Sequence, residues 1–84
     1  MIRVRCMGHI GTALGKKEVE VETDGMLASE LVDHLRSQCA SDPGFNIYNT
    51  LVLVEDSDAF VPALQKRPIA SGKSVVLIPF SHGG

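Results

Sequence analysis

The sequence has no tryptophan, one tyrosine and three phenylalanines, so any core it forms must be built mainly from aliphatic side chains. Cysteine is scarce as well. Cys6 and Cys39 are too few to staple a scaffold and do not form a CxxC pair. Two small hydrophobes kept reduced in the cytosol is the simpler reading of them. Long apolar runs are missing: no run exceeds the four residues of Val75-Val76-Leu77-Ile78, against the ~20 needed to span a bilayer. An excess of positive charge is also missing. Eight Lys and Arg stand against ten Asp and Glu, a net charge of −2, which argues against nucleic acid as the main partner. Arg3 and Arg5 occupy the stretch where a secretory leader would carry apolar residues, so a cytoplasmic location is expected, with no membrane partner. Repeats and low-complexity segments are absent. The 84 residues allow one domain with one modest core.

The usual signatures of an internal active site fail on inspection. Gly15-Lys16 would need glycine at position 10 to make a phosphate loop, where Ile10 stands, and a hydroxyl where Lys17 stands. Gly72-Lys73-Ser74 has the hydroxyl but carries Arg67 at the required glycine, and a strand follows rather than a helix. His9, His34 and His82 with the two cysteines match no common zinc spacing. No nucleophile sits in a recognisable setting, and so small a domain offers little depth for a substrate cavity. The chain is therefore not expected to be an enzyme, nor to bind a metal or a cofactor of its own.

What is present is a clear order of elements. Ile2, Val4 and Cys6 alternate with Arg3, Arg5 and Met7, the period of a half-buried strand. Gly8, Gly11 and Gly15 mark a turn-rich connection. Val19 and Val21 then alternate with Glu18, Glu20 and Glu22, and a hairpin of the two runs would set arginines across from glutamates. Leu27, Leu31 and Leu35 recur every four residues, joined by Val32 and Cys39, which predicts a helix over about residues 26–40 ended by Ser41-Asp42-Pro43-Gly44. Thr50–Val54 reads as a strand whose near-continuous apolar character suggests a more buried position. Phe60-Val61 reads as a short edge strand, and Pro62 and Pro68 forbid a long element between residues 55 and 74. Val75–Ile78 is the strongest strand and a natural centre for the sheet. Strand, strand, helix, strand, irregular stretch, strand is the order of an α+β β-grasp. In that fold a four- to five-stranded mixed sheet packs on one main helix, with the first and last strands parallel neighbours.

The expected folded part is residues 1–79, followed by a flexible tail, 80–84, reading Phe80-Ser81-His82-Gly83-Gly84. Extended, those five residues reach roughly 15–18 Å. Taken alone, a terminal Gly-Gly is a common frayed end. Directly after the closing strand of this fold it suits another role, because residues without Cβ let the backbone pass a narrow slot and present the terminal carboxylate to another protein. A carboxylate acylates nothing until it gains a leaving group, which ATP supplies as an acyl-adenylate. The activated carbonyl can then accept sulfur or pass to a lysine amine.

On these residues the chain resembles the ThiS/MoaD group of sulfur carriers and the related small archaeal modifier and ubiquitin-related modifier proteins. The likeness covers the Ile2–Met7 strand, the stretch from Asp24-Gly25 to Leu35, the Leu51–Val54 strand, and the Ala70-Ser71-Gly72-Lys73-Ser74 turn before Val75–Ile78. Ser71 and Lys73 depart from the acidic turn usual in that group. Pro79 is similar to the ending of the molybdopterin-synthase small subunit, and His82-Gly83-Gly84 to that of the ubiquitin-related modifier. The resemblance implies Gly84 as the residue activated and conjugated, and Gly83 as its required neighbour. It implies a ubiquitin-activating-type (MoeB/ThiF-like) adenylating enzyme that uses ATP, followed by a sulfur-transfer partner or target lysines joined through an isopeptide bond. Met7, Ile10, Phe80 and His82 are the candidates for partner contact. Phe60 is read as closing the core. Lys16, Lys17, Lys66 and Lys73 are candidate acceptors for another copy. A purely sulfur-transferring molybdopterin-synthase subunit and a non-transferred β-grasp binding module remain the alternatives.

Overall fold

The computed structural model describes residues 1–80. The first hairpin forms in the expected register. β1 (Ile2–Cys6) pairs antiparallel with β2 (Glu18–Val21), Ile2 opposite Val21, Val4 opposite Val19, Arg3 opposite Glu20 and Arg5 opposite Glu18. A one-residue slip would put the arginines into the core and the valines into water, so the alternation itself fixes this register. β6 (Ser74–Pro79) runs parallel to β1 and antiparallel to β4 (Thr50–Val54), giving the order β2-β1-β6-β4. The first and last strands are thus parallel neighbours at the centre of the sheet.

Ile2, Val4, Cys6, Val52, Val75 and Leu77 project from one face and are buried, packed with Ala28, Leu31, Val32 and Leu35 of α2 (Ala28–Ser37). Burying each such Val, Leu or Ile contributes about 1.5–3 kcal/mol, so this aliphatic layer holds the fold together without tryptophan. Phe45, in the irregular stretch after α2, is fully buried in the same cluster. No periodicity marks it in the sequence.

Four local features differ from the sequence expectation. The glycine-rich connection contains a short helix, α1 (Gly8–Leu14). Gly8 and Gly15 supply left-handed backbone at its two ends, with φ of 55° and 73°. Gly11 is there for close approach: a Cβ on it would lie 2.9 Å from the Cys6 carbonyl oxygen. The main helix is shorter than 26–40 because Met26 and Leu27 are used in β3 (Gly25–Leu27), which pairs with β5 (Pro68–Ala70) in a second, two-stranded sheet. The Glu30 carboxylate accepts a hydrogen bond from the Leu27 N–H at 2.8 Å and closes the helix start. At the other end Ser37 Oγ donates to the His34 carbonyl at 2.6 Å, and the Gln38 and Cys39 N–H groups bond three residues back.

The third difference is β4, which lies at the end of the main sheet rather than inside it. Its outer edge is closed at one point, where Phe60 exchanges both backbone hydrogen bonds with Val52, at 2.8 and 3.0 Å. Phe60 makes only this bridge, not a strand, and its ring is buried as expected. The fourth is Ile10, which is fully buried on α1 and belongs to the core cluster. It is not available for partner contact.

Candidate docking face and tail base

The side of the sheet facing away from α2 is graded across its strands. One row reads Glu18, Arg5, Val76, Leu53 from β2 to β4, set by the pairings of Arg5 with Glu18 and Val76, and of Val76 with Leu53. The next row toward the end of β6 pairs Ile78 with Leu51. Leu51, Leu53, Val76 and Ile78 are only half-buried. This explains the continuous apolar run of β4: its inner residues fill the core, and its outer ones make an apolar surface rather than a second buried layer. Sequence reading attributed the run to burial and so missed Leu51, Leu53, Val76 and Ile78 as surface residues. The strict alternation of charge on β1 and β2, against its absence on β4 and β6, was the available signal.

The apolar half of this face leads to the base of the tail. β6 ends at Pro79, and Phe80 is still tied to the sheet by its N–H, which donates to the Asn49 carbonyl at 3.0 Å. The attachment thus extends one residue past the expected end of the folded part. Phe80 is half-buried, and continuing the period of β6 places it with Val76 and Ile78. Met7 is 43% exposed at the same end, with its N–H on the Leu77 carbonyl at 3.0 Å. Pro79 closes this end against α1, since a Cβ on Gly8 would stand 3.1 Å from the Pro79 ring. Met7 and Phe80 therefore both stand at the tail base, whereas Ile10 does not join them. His82, Gly83 and Gly84 lie outside the described residues.

The four candidate acceptor lysines are all exposed but scattered. Lys16 and Lys17 stand near the tail base, where the Cys6 N–H donates to the Lys17 carbonyl at 2.7 Å. Lys66 is in the irregular stretch before β5. Lys73 is at the opposite end of the sheet, in the turn where the Gly72 N–H bonds the Met1 carbonyl at 2.7 Å. In that turn Ser71 Oγ accepts from the Met1 ammonium at 2.5 Å, so a neutral acceptor serves where an acidic residue is usual in the resembled group.

Among the described residues no cluster of three or more His, Cys, Asp and Glu could hold a metal ion. No described helix is long and apolar enough to cross a membrane. Cys39 is half-buried against the core, and Cys6 is buried. Burial pushes the Cys6 thiol up from 9.0 to about 11. Below the unfolded value both states hold the proton and Cys6 adds no pH dependence. As pH rises from about 9 toward about 11 the unfolded chain releases the proton first, so folding stability falls across that window. Urea midpoints measured on either side of it should drop more in the parent chain than in Cys6→Ala.

A mixed sheet with the first and last strands as parallel neighbours at its centre, one main helix on its inner face and a closing strand that ends at Pro79 defines a ubiquitin-like β-grasp fold. Two crystal structures share the fold over nearly the whole chain. One is described as SAMP1 from Haloferax volcanii, with TM-score 0.67, 18% identity and coverage of 99% of this chain and 98% of that one. The other is described as H. volcanii small archaeal modifier protein 1, with TM-score 0.67, 16% identity and coverage of 95% and 97%. At these identities the likeness is one of fold, and it falls within the group that the sequence resembles. No family model and no curated protein sequence matches the chain.

Proposed function

We propose that this chain is a small ubiquitin-like protein modifier, a sulfur carrier, or both, acting through the carboxylate of Gly84. The observation that carries the reading is the position of the closing strand. It ends at Pro79, beside the half-buried apolar row of Val76, Ile78, Leu51 and Leu53, and only a few residues before Gly83-Gly84. A partner seated on that row has the terminal carboxylate within reach of its own active site. The full-length likeness to a small archaeal modifier protein supports the same reading.

The chemistry is a sequence of acyl transfers performed by partners. A Gly84 carboxylate oxygen attacks the α-phosphorus of ATP and pyrophosphate leaves, giving a C-terminal acyl-adenylate. A sulfur nucleophile then displaces AMP. If the nucleophile is the outer sulfur of a persulfide, a second thiol attacks the inner sulfur of the resulting acyl disulfide, the S–S bond breaks, a disulfide leaves and the thiocarboxylate remains. If the nucleophile is a thiol, a thioester forms, a lysine ε-amine attacks its carbonyl, an isopeptide bond forms and the thiol leaves. The chain contributes a recognisable surface and a carboxylate that fits a narrow slot; it is the substrate, and ATP is bound by the activating enzyme.

The test is mass spectrometry of the protein purified under denaturing conditions from its own cells. Lysine peptides bearing its C-terminal remnant establish a modifier. A free chain with one C-terminal oxygen replaced by sulfur, and no such peptides, establishes transfer of sulfur alone, as in a molybdopterin-synthase small subunit. An unmodified C-terminus in every fraction overturns the reading and leaves a binding module.

A further inference from the structure

A groove of about 450 Å³ opens beside the tail base, between the end of β1, α1 and the approach to β2. Arg5, Lys16 and Lys17 line it together with Met7, Gly8 and Thr12, and no acidic residue is among its walls. In a chain of net charge −2, three of the eight Lys and Arg thus stand around one opening. All three are exposed, and none forms an ion pair with another described residue. Glu18 faces Arg5 across the hairpin without pairing with it. Lys16 and Lys17 follow the C-terminus of α1 and offset its carbonyl dipole, but a helix of seven residues needs little compensation, and Arg5 lies on another element.

Arg5 connects this groove to the docking face. It lies in the same row as Val76 and Leu53 and also lines the groove, while Met7 and Gly8 join the groove to Pro79. A partner covering the apolar row therefore passes the groove and its three cations, none of which pairs with a described residue. We propose that the groove receives an acidic segment, rich in Asp and Glu, of the protein that covers the apolar face. The placement rests on the reading that a partner handles the tail, whereas the recognition itself does not require the tail. Carboxylates fit here better than a nucleic-acid backbone, because the cations form one short cluster, and Glu18, Glu20 and Glu22 stand on the neighbouring strand and just beyond it, where a long polyanion would have to run. Opposite charges at the rim raise the rate of encounter and fix the orientation of the docked partner.

The experiment is a titration of the isotope-labelled full chain with a blocked oligoglutamate peptide, followed by amide NMR. The expected result is a set of shifts confined to residues 5–8, 11–12 and 15–17, fading as salt shortens the screening length. Lys16→Gln/Lys17→Gln should weaken the peptide by about fivefold with the rest of the spectrum unchanged, the loss of two exposed charge contacts. Arg3 and Lys73 line a second basic opening at the far end of the sheet and serve as the internal control. Shifts centred on Arg3 and Lys73, or no shifts, overturn the proposal. Equal binding of inorganic phosphate overturns it in favour of a small-anion site, and equal binding of oligothymidylate overturns it in favour of nucleic acid. A chain with one residue appended after Gly84 should bind the peptide unchanged, so failure of the carboxylate chemistry and failure of the groove are read separately.

Discussion

A chain carrying one extra residue after Gly84 is expected to lose activation by the adenylating partner proposed above at least about a hundredfold, because a reacting group displaced by a residue's length cannot reach an attack geometry. The extension moves the carboxylate by about 3.3–3.6 Å along the tail, comparable to the whole attack distance to phosphorus. The glycine carbonyl left in place is an amide and cannot be adenylated. None of the docking face changes, since Met7, Leu51, Leu53, Val76 and Ile78 all precede the tail. Affinity for the activating enzyme should therefore stay within about twofold while turnover collapses, a split between binding and chemistry. ATP–pyrophosphate exchange with purified components reads the chemistry, and a competition binding assay reads the docking. Normal exchange by the extended chain would remove the carboxylate from the mechanism, leaving the fold as a docking module.

The parts of the fold legible in the sequence are those where one face is wet and the other dry. Arg3 and Arg5 against Glu18 and Glu20 set the β1–β2 register, since each alternation has one solution. The Leu31, Val32 and Leu35 stripe gave α2 its buried face, and Val75–Ile78 stood out as the central strand because β6 has a partner on both sides. Less legible were elements fixed by tertiary neighbours. β3 and β5 are three residues each, and Met26 enters β3 only because Ile69 lies opposite it. α1 carries three glycines, whose propensity opposes a helix, and it forms because Ile10 anchors it in the core and Gly11 admits the Cys6 carbonyl. The candidate docking face was half legible. Met7 and Phe80 were named by proximity to the tail, and the structure places both at its base, whereas Leu51 and Leu53 were hidden because an apolar run reads the same whether its second face meets protein or water.

Replacing Ile10 and Met7 separately by alanine should divide the core from the surface within one short segment. Ile10 has no exposed surface and its side chain lies in the main cluster, so Ile10→Ala removes buried methyl groups and leaves a cavity between α1 and the sheet. The expected loss is about 2–5 kcal/mol, a large part of the total stability of so small a domain. Met7 is 43% exposed, and Met7→Ala should change stability by no more than about 0.5 kcal/mol. Urea unfolding measures both, and an unchanged slope with a lower midpoint would assign the Ile10 effect to the native core. The order should reverse in the activation assay. Ile10→Val keeps most of the packing, costs about 0.5–1.5 kcal/mol and should be activated normally at a temperature where it is folded. Met7→Asp places a charge where a partner must exclude water at the tail base, and should weaken docking with little change in stability. If Met7→Ala were the destabilising change and Ile10→Ala the silent one, the side of α1 that meets the sheet would be the opposite one, and both the groove and the tail base would have to be redrawn.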